Sequence, residues 1–169
     1  MLMGRNPNNI RSTAVPAPLD RTDRELILAL QKNARISNKE LAELVGLAPS
    51  TCLERLRRLR TRGVLRGFHA TVDLTQIGRP TQAIIAVRLR VHDRAQIDAF
   101  ASHVTELPDA LAVYHVSGAD DYLVHAAVSD TDHLRTLVLD LTARPEVDHV
   151  ETRLIFEVTR KTVVEPFGD

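Results

Sequence analysis

The chain has 169 residues, 44% of them hydrophobic, and sets 22 Lys and Arg against 22 Asp and Glu. Taken whole, that balance predicts no preference for nucleic acid, and no apolar run approaches the ~20 residues of a membrane-spanning helix. A lone cysteine, Cys52, excludes an internal disulfide and suits a reducing cytoplasm.

The first eighteen residues, MLMGRNPNNIRSTAVPAP, hold three Pro and three Asn. They lack the apolar stretch of a signal peptide and are expected to form a disordered arm. Asp20 is then placed to cap a first helix whose Leu26, Ile27 and Leu30 face inward. Ser37 with Glu40 three residues on spells a capping box. The helix it opens has Leu41, Ala42, Leu44 and Val45 on its apolar side, and Gly46 is placed to end it. After the short turn Leu47-Ala48, Pro49 suits the first position of a third helix. Ala48 is a weak cap, worth roughly 0.5–2 kcal/mol less than Ser. In the third helix Cys52, Leu53, Leu56 and Leu59 predict a buried stripe. Thr51, Arg55, Arg58 and Arg62, at i, i+4, i+7 and i+11, predict an exposed cationic face. Two short helices joined by a tight turn, the second rich in arginine, form the helix-turn-helix pattern, and residues 64–72 read as a β-like ribbon able to serve as a wing.

Charge divides the chain in the same place. Residues 1–79 carry 14 basic and 7 acidic side chains, and residues 80–169 carry 8 and 15. A basic half gains affinity for a polyanion by counterion release, whereas the acidic half is repelled by it. The halves are therefore expected to do different jobs, with the break at Leu74–Thr81, which contains Gly78 and Pro80.

Beyond the break, Ile85, Val87, Leu89 and Val91 alternate with Arg88 and Arg90 and predict a strand. Ile97, Phe100, Ala101 and Val104 predict a helix ended by Pro108. Strands over 110–117 and 122–128 are joined by Gly118-Ala119-Asp120-Asp121, a hairpin connection. A helix over 131–143 and a strand over 147–159 complete the order βαββαβ. The predicted class is α+β: an N-terminal winged helix-turn-helix and a ferredoxin-like module with both helices on one sheet face. The other face needs a cover, and a second copy of the chain is the expected one.

In this order, LDRTDRELILALQKNARIS (19–37), ELAELVGL (40–47), CLERLRRL (52–59), GVLRGF (63–68) and VSGADDYLV (116–124) resemble the Lrp/AsnC family of feast/famine transcriptional regulators. The resemblance covers Leu19 to about Lys161. It implies a DNA-binding domain over 19–73, a hinge over 74–81, an effector-binding and oligomerisation domain over 82–161, and a tail over 162–169. It also implies homodimers joined through their sheets, assembled further into oligomers such as octamers around which DNA bends. A small effector, typically an amino acid, is implied between dimers near the strand-joining turn. The setting is the bacterial cytoplasm, on the nucleoid, with no cofactor and no membrane.

Carried over residue by residue, the recognition helix makes Ser50, Thr51, Arg55, Arg57, Arg58 and Arg62 candidate DNA contacts. Most of these arginines are expected on phosphates, with a bidentate guanine contact open to one. Arg55 and Glu54 have the alternative of pairing within the domain. The family's effector turn maps onto Gly118, Asp120, Asp121 and Tyr122, with Thr152 in the last strand lining the same pocket. Asp121 would hold an ammonium and the backbone around Gly118 a carboxylate. Ala119 and Asp120 depart from the family's acid and aromatic residue there, which leaves open a plain hairpin in which the two aspartates only favour the turn.

No catalytic or metal constellation emerges. The seven histidines form no i,i+3 or i,i+4 pair, although His115 and His125 fall on adjacent predicted strands. An enzyme of the same two-module plan, a tetrapyrrole decarboxylase, would need a basic pocket for propionates, and the sheet module is acidic. An architectural protein that wraps DNA with little sequence preference is the other alternative.

Overall fold

The computed structural model describes residues 18–90 and 93–166. The expected arm, apart from Pro18, and Val91 lie outside them. The chain divides into two compact units: one up to His69 together with the chain from Arg160 on, the other Ala70–Thr159.

The first unit contains α1 (Arg21–Lys32), α2 (Asn38–Leu44) and α3 (Pro49–Thr61). Their ends follow from local chemistry. Asp20 accepts from the Asp23 N–H at 2.7 Å, and Ser37 and Glu40 form the full capping box. Gly46 takes φ +67°, so the Leu47 N–H reaches the Ala42 carbonyl at 2.9 Å and the Gly46 N–H reaches Glu43 at 3.3 Å. This left-handed closure turns the chain sharply into α3. α3 begins on Pro49 with no side-chain cap from Ala48. Leu26, Ile27, Leu30, Leu41, Ala42, Cys52 and Leu59 form the buried core, with Leu56, Val64 and Leu65 packed at its edge.

Three expectations need correction. Leu44, expected on the apolar side of α2, is exposed, and only Leu41 and Ala42 of that helix are buried. Leu53 is 41% exposed and not part of the buried stripe, because at 100° per residue it stands a quarter-turn or more from Cys52 and Leu59. Residues 64–72 contain no strand. Val64 and Leu65 both donate to the Leu59 carbonyl, at 3.0 and 3.2 Å, which folds the segment's start back onto the helix end. Among the described residues this unit contains no strand for residues 66–69 to pair with, and from Ala70 the chain belongs to the other unit, so the expected wing is an irregular segment.

The tail also differs from expectation. The Gln31 side chain donates to the Val164 carbonyl at 2.9 Å and accepts from the Val164 N–H at 2.7 Å. An amide side chain thus pairs with backbone as a neighbouring strand would, and fixes the tail to α1.

The second unit runs β1 (Thr81–Leu89), α4 (Arg94–Glu106), β2 (Ala110–His115), β3 (Tyr122–Val128), α5 (Thr131–Thr142), β4 (Val147–Ile155). The sheet is antiparallel in the order β2-β3-β1-β4, the split arrangement expected from the element order. Ala83, Ile85, Val87 and Leu89 of β1 and Tyr122, Val124, Ala126 and Val128 of β3 point to one face. Phe100 and Val104 of α4 and Leu134, Leu137 and Leu141 of α5 cover it. Alternation sends Gln82, Ile84, Ala86 and Arg88 to the face without helices. β4 stops at Ile155, short of the expected Thr159, because β1, its only partner, begins its pairing at Gln82 opposite Ile155. The stretch read as a hinge belongs to this unit. Arg79 is held by Asp109 at 2.8 Å and by the Ala127 carbonyl at 2.7 Å, and the chain passes between units at His69/Ala70 instead.

Candidate DNA-binding face and effector turn

α3 carries four arginines and a fifth, Arg62, at its C-cap, and the structure sorts them. Asp23 of α1 is 1% exposed. Arg55 reaches it at 2.8 Å and Asp20 at 2.6 Å, Arg58 reaches it at 3.5 Å, and Arg62 at 3.9 Å. Hydrogen bonding from Arg55, and then the Asp23 N–H, holds the Asp20 carboxyl below its ordinary range. Asp20 and then Asp23 push Arg55 up in turn.

The stripe Arg55–Arg58–Arg62 therefore flanks α1 and is not diametrically opposite the core. Arg55 in particular takes the intradomain alternative, though with acids of α1 and not with Glu54. The side directly away from Cys52 and Leu59 carries Ser50, Glu54, Arg57 and Thr61, with Leu53 and Arg60 along its edge, all exposed. Among the described residues Arg57 makes no ion pair, while Thr51 stands exposed beside Ser50 at the helix start. Leu53, Glu54 and Arg60 are not among the expected DNA contacts, yet they share this exposed side. A helical wheel centred on Cys52 and Leu59 alone would have found them.

The effector turn is built differently from the pocket expected. Gly118 has φ +132°, a region open to glycine that lets β2 turn into β3. Asp121 is tied twice to β1 and once to the end of β2: its carboxylate accepts from the Leu89 N–H at 2.8 Å, its N–H donates to the Val87 carbonyl, and its carbonyl accepts from the Val116 N–H, each at 2.9 Å. Tyr122 is 2% exposed, donates to the Ile97 carbonyl at 3.1 Å and packs against Phe100 at 5.0 Å. Burial, with Asp98 and Asp121 nearby, pushes its phenol up. It is a core residue, so its expected place in a ligand pocket is corrected.

Asp120 is half-buried and makes no hydrogen bond or ion pair among the described residues. Thr152 is exposed on β4 and pairs with Ile85, while Tyr122 pairs with Val87. That places Thr152 two strands across and two residues along from the turn, about 12 Å by sheet geometry. One protomer does not bring Thr152 and the turn together. His115 and His125 do not meet either: His115 pairs with Tyr122 and stacks on its ring at 4.8 Å, and His125 lies opposite Ala112 with Gln82 at 3.1 Å.

A helix-turn-helix unit joined to a βαββαβ unit with a helix-free sheet face defines a two-part DNA-binding regulator. Residues 19–60 match the AsnC-type helix-turn-helix domain, and residues 82–164 match the Lrp/AsnC ligand binding domain. The chain belongs to the Lrp/AsnC family of transcriptional regulators. It is 42% identical to the HTH-type transcriptional regulator AldR of Mycolicibacterium smegmatis, over 92% of this chain and 89% of that protein. To the leucine-responsive regulatory protein of Rhizobium meliloti it is 34% identical, over 83% and 90%. Among solved structures, a transcriptional regulator from Neisseria meningitidis in complex with L-Met superposes with a TM-score of 0.80 at 31% identity, covering 87% of this chain and 96% of that one. These relatives are transcriptional regulators and not enzymes. No helix among the described residues is long and apolar enough to cross a membrane.

Proposed function

We propose that the chain is a sequence-specific DNA-binding regulator that responds to an amino acid through a change in homo-oligomeric assembly. The outward strip of α3 carries the DNA reading: an exposed arginine flanked by a hydroxyl, an acid and an apolar residue at helical spacing. Such a strip matches what base edges in a major groove offer, namely guanine to Arg57, cytosine N4 to Glu54 and a thymine methyl to Leu53. Ser50 and Thr51 at the helix start, and Arg58 and Arg62 at its flank, are placed for phosphates. An architectural binder would have less use for an acid and a leucine on that strip.

Arg57→Ala is expected to weaken binding to a selected operator by about 1–3 kcal/mol and to relax preference at one base position. Arg55→Ala, in contrast, should act mainly through stability. Competition binding on an operator chosen from a random duplex pool measures both. Equal loss on operator and unrelated duplex for Arg57→Ala would refute base reading by this residue.

For the effector, Asp120 replaces Asp121 as the proposed ammonium partner, because the Asp121 carboxylate is engaged with Leu89. Gly118 supplies backbone for a ligand carboxylate, and Thr152 contributes from another protomer. The L-Met complex of the Neisseria relative supports screening amino acids. A ligand at about 100 times its Kd should stabilise the native chain by ~2.7 kcal/mol. A thermal-shift screen of the twenty amino acids is expected to give such a shift in the wild type, and Asp120→Asn should remove it. No shift with any of them, or equal shifts in both proteins, would reject this site.

A further inference from the structure

The buried acid beneath the recognition helix calls for an explanation beyond packing. A carboxylate as enclosed as Asp23 loses its hydration and is tolerated only with close positive partners. One arginine would suffice, yet three from successive turns of α3 converge on it: Arg55 at 2.8 Å, Arg58 at 3.5 Å and Arg62 at 3.9 Å. Asp20, the N-cap of the same helix, adds a second carboxylate on Arg55 at 2.6 Å. Arg55 is thereby largely neutralised. Arg58, half-exposed, touches Asp23 at longer range, which leaves its other nitrogens to solvent or to a phosphate.

We propose that Asp23 is a positioning residue for DNA binding, fixing Arg58 within the arginine fan at the flank of α3 so that its phosphate contact sets the register in which Arg57 meets the bases. The inference rests on the DNA-binding reading of α3. Arginine side chains have many rotamers, and ordering them before binding removes that cost from the complex. Preordering aids a duplex that matches the fixed geometry. A free cationic fan aids every duplex equally, because counterion release is indifferent to sequence. Asp23 thus exchanges general affinity for discrimination, at the expense of one unit of positive charge.

The test uses the full chain, an operator selected from a random pool, and an unrelated duplex of equal length, across about 50 to 200 mM salt. Asp23→Asn keeps the side chain's shape and removes its charge. Affinity for the unrelated duplex is expected to rise roughly threefold or more, with a salt slope steeper by about one. Preference for the operator should fall by about tenfold, the scale of one lost specific contact. A residue that only fastens α1 to α3 would leave the operator-to-unrelated ratio unchanged, since partial unfolding lowers both affinities alike. An unchanged ratio overturns the proposal. Should Asp23→Asn fail to fold, Asp20→Asn probes the same cluster from its exposed side, and asparagine caps a helix as well as aspartate does. Its ratio should fall by about two- to threefold, a partial loss of the same discrimination, and no fall overturns the proposal. Absence of any duplex binding by the wild type would instead remove the DNA-binding reading of α3, and this inference with it.

Discussion

Tyr122→Ala is expected to destabilise the sheet unit by about 3–5 kcal/mol, the range for truncating a fully buried aromatic side chain. Three losses combine. The ring, 2% exposed, fills the space between β3 and α4. Its tilted contact with Phe100 at 5.0 Å adds about 0.5–1.5 kcal/mol beyond area. Its hydroxyl ties β3 to α4 through the Ile97 carbonyl at 3.1 Å. Tyr122→Phe separates the last contribution from the others and should cost only about 0.5–1.5 kcal/mol. Denaturant midpoints followed on the full chain and both variants decide the matter. Similar losses for the two substitutions would mean that the hydrogen bond, and not the packed ring, dominates. The same experiment bears on function, because a tyrosine committed to the core cannot also present its ring to a ligand.

Tyr122 shows where sequence reading reaches its limit. Residue type and position place it beside a ligand turn. Its direction, however, depends on alternation from Val124 and Val128, both of which point to the helices. Features carried by local chemistry were readable: the Ser37/Glu40 capping box, the left-handed Gly46, the uncapped Ala48 and the βαββαβ order. Features requiring a partner were not. Residues 64–72 have strand-like composition, but Val64 and Leu65 fold back onto the end of α3 and the segment then crosses between units at His69/Ala70. Phe156, 98% exposed, continues the alternation of β4 past the point where β1 offers pairing. The arginine spacing of α3 was visible, but its target was a buried acid on another helix, and only packing shows that Asp23 sits beneath it. Gln31 likewise gives no sign in sequence of a partner 133 residues away.

The helix-free face of the sheet carries the second large effect. Ile84 lies on β1, an interior strand, between His125 on β3 and Arg153 on β4. Leu123 and Tyr114 face the same side one pair further along, and Tyr114 is half-exposed. An apolar centre ringed by Arg88, His149, Glu151 and Arg153 has the make-up of an interface with a polar rim. In the dimer we propose, a two-fold axis brings each copy's Ile84 into the buried area, so one substitution acts twice. Ile84→Lys places an ammonium beside Arg153, where the monomer leaves it solvated and the dimer buries it without a carboxylate directly opposite. Burying an unpaired charge costs several kcal/mol, and two of them amount to a loss of association of at least about a thousandfold, each 1.4 kcal/mol being tenfold. Sedimentation of the full chain at micromolar concentration should show the wild type as a dimer or larger and Ile84→Lys as a folded monomer, with its circular dichroism retained. If the variant sediments with the wild-type mass, this face is not the dimer interface. The effector site shared between protomers, with Asp120 from one and Thr152 from another, would then lose the geometry it requires.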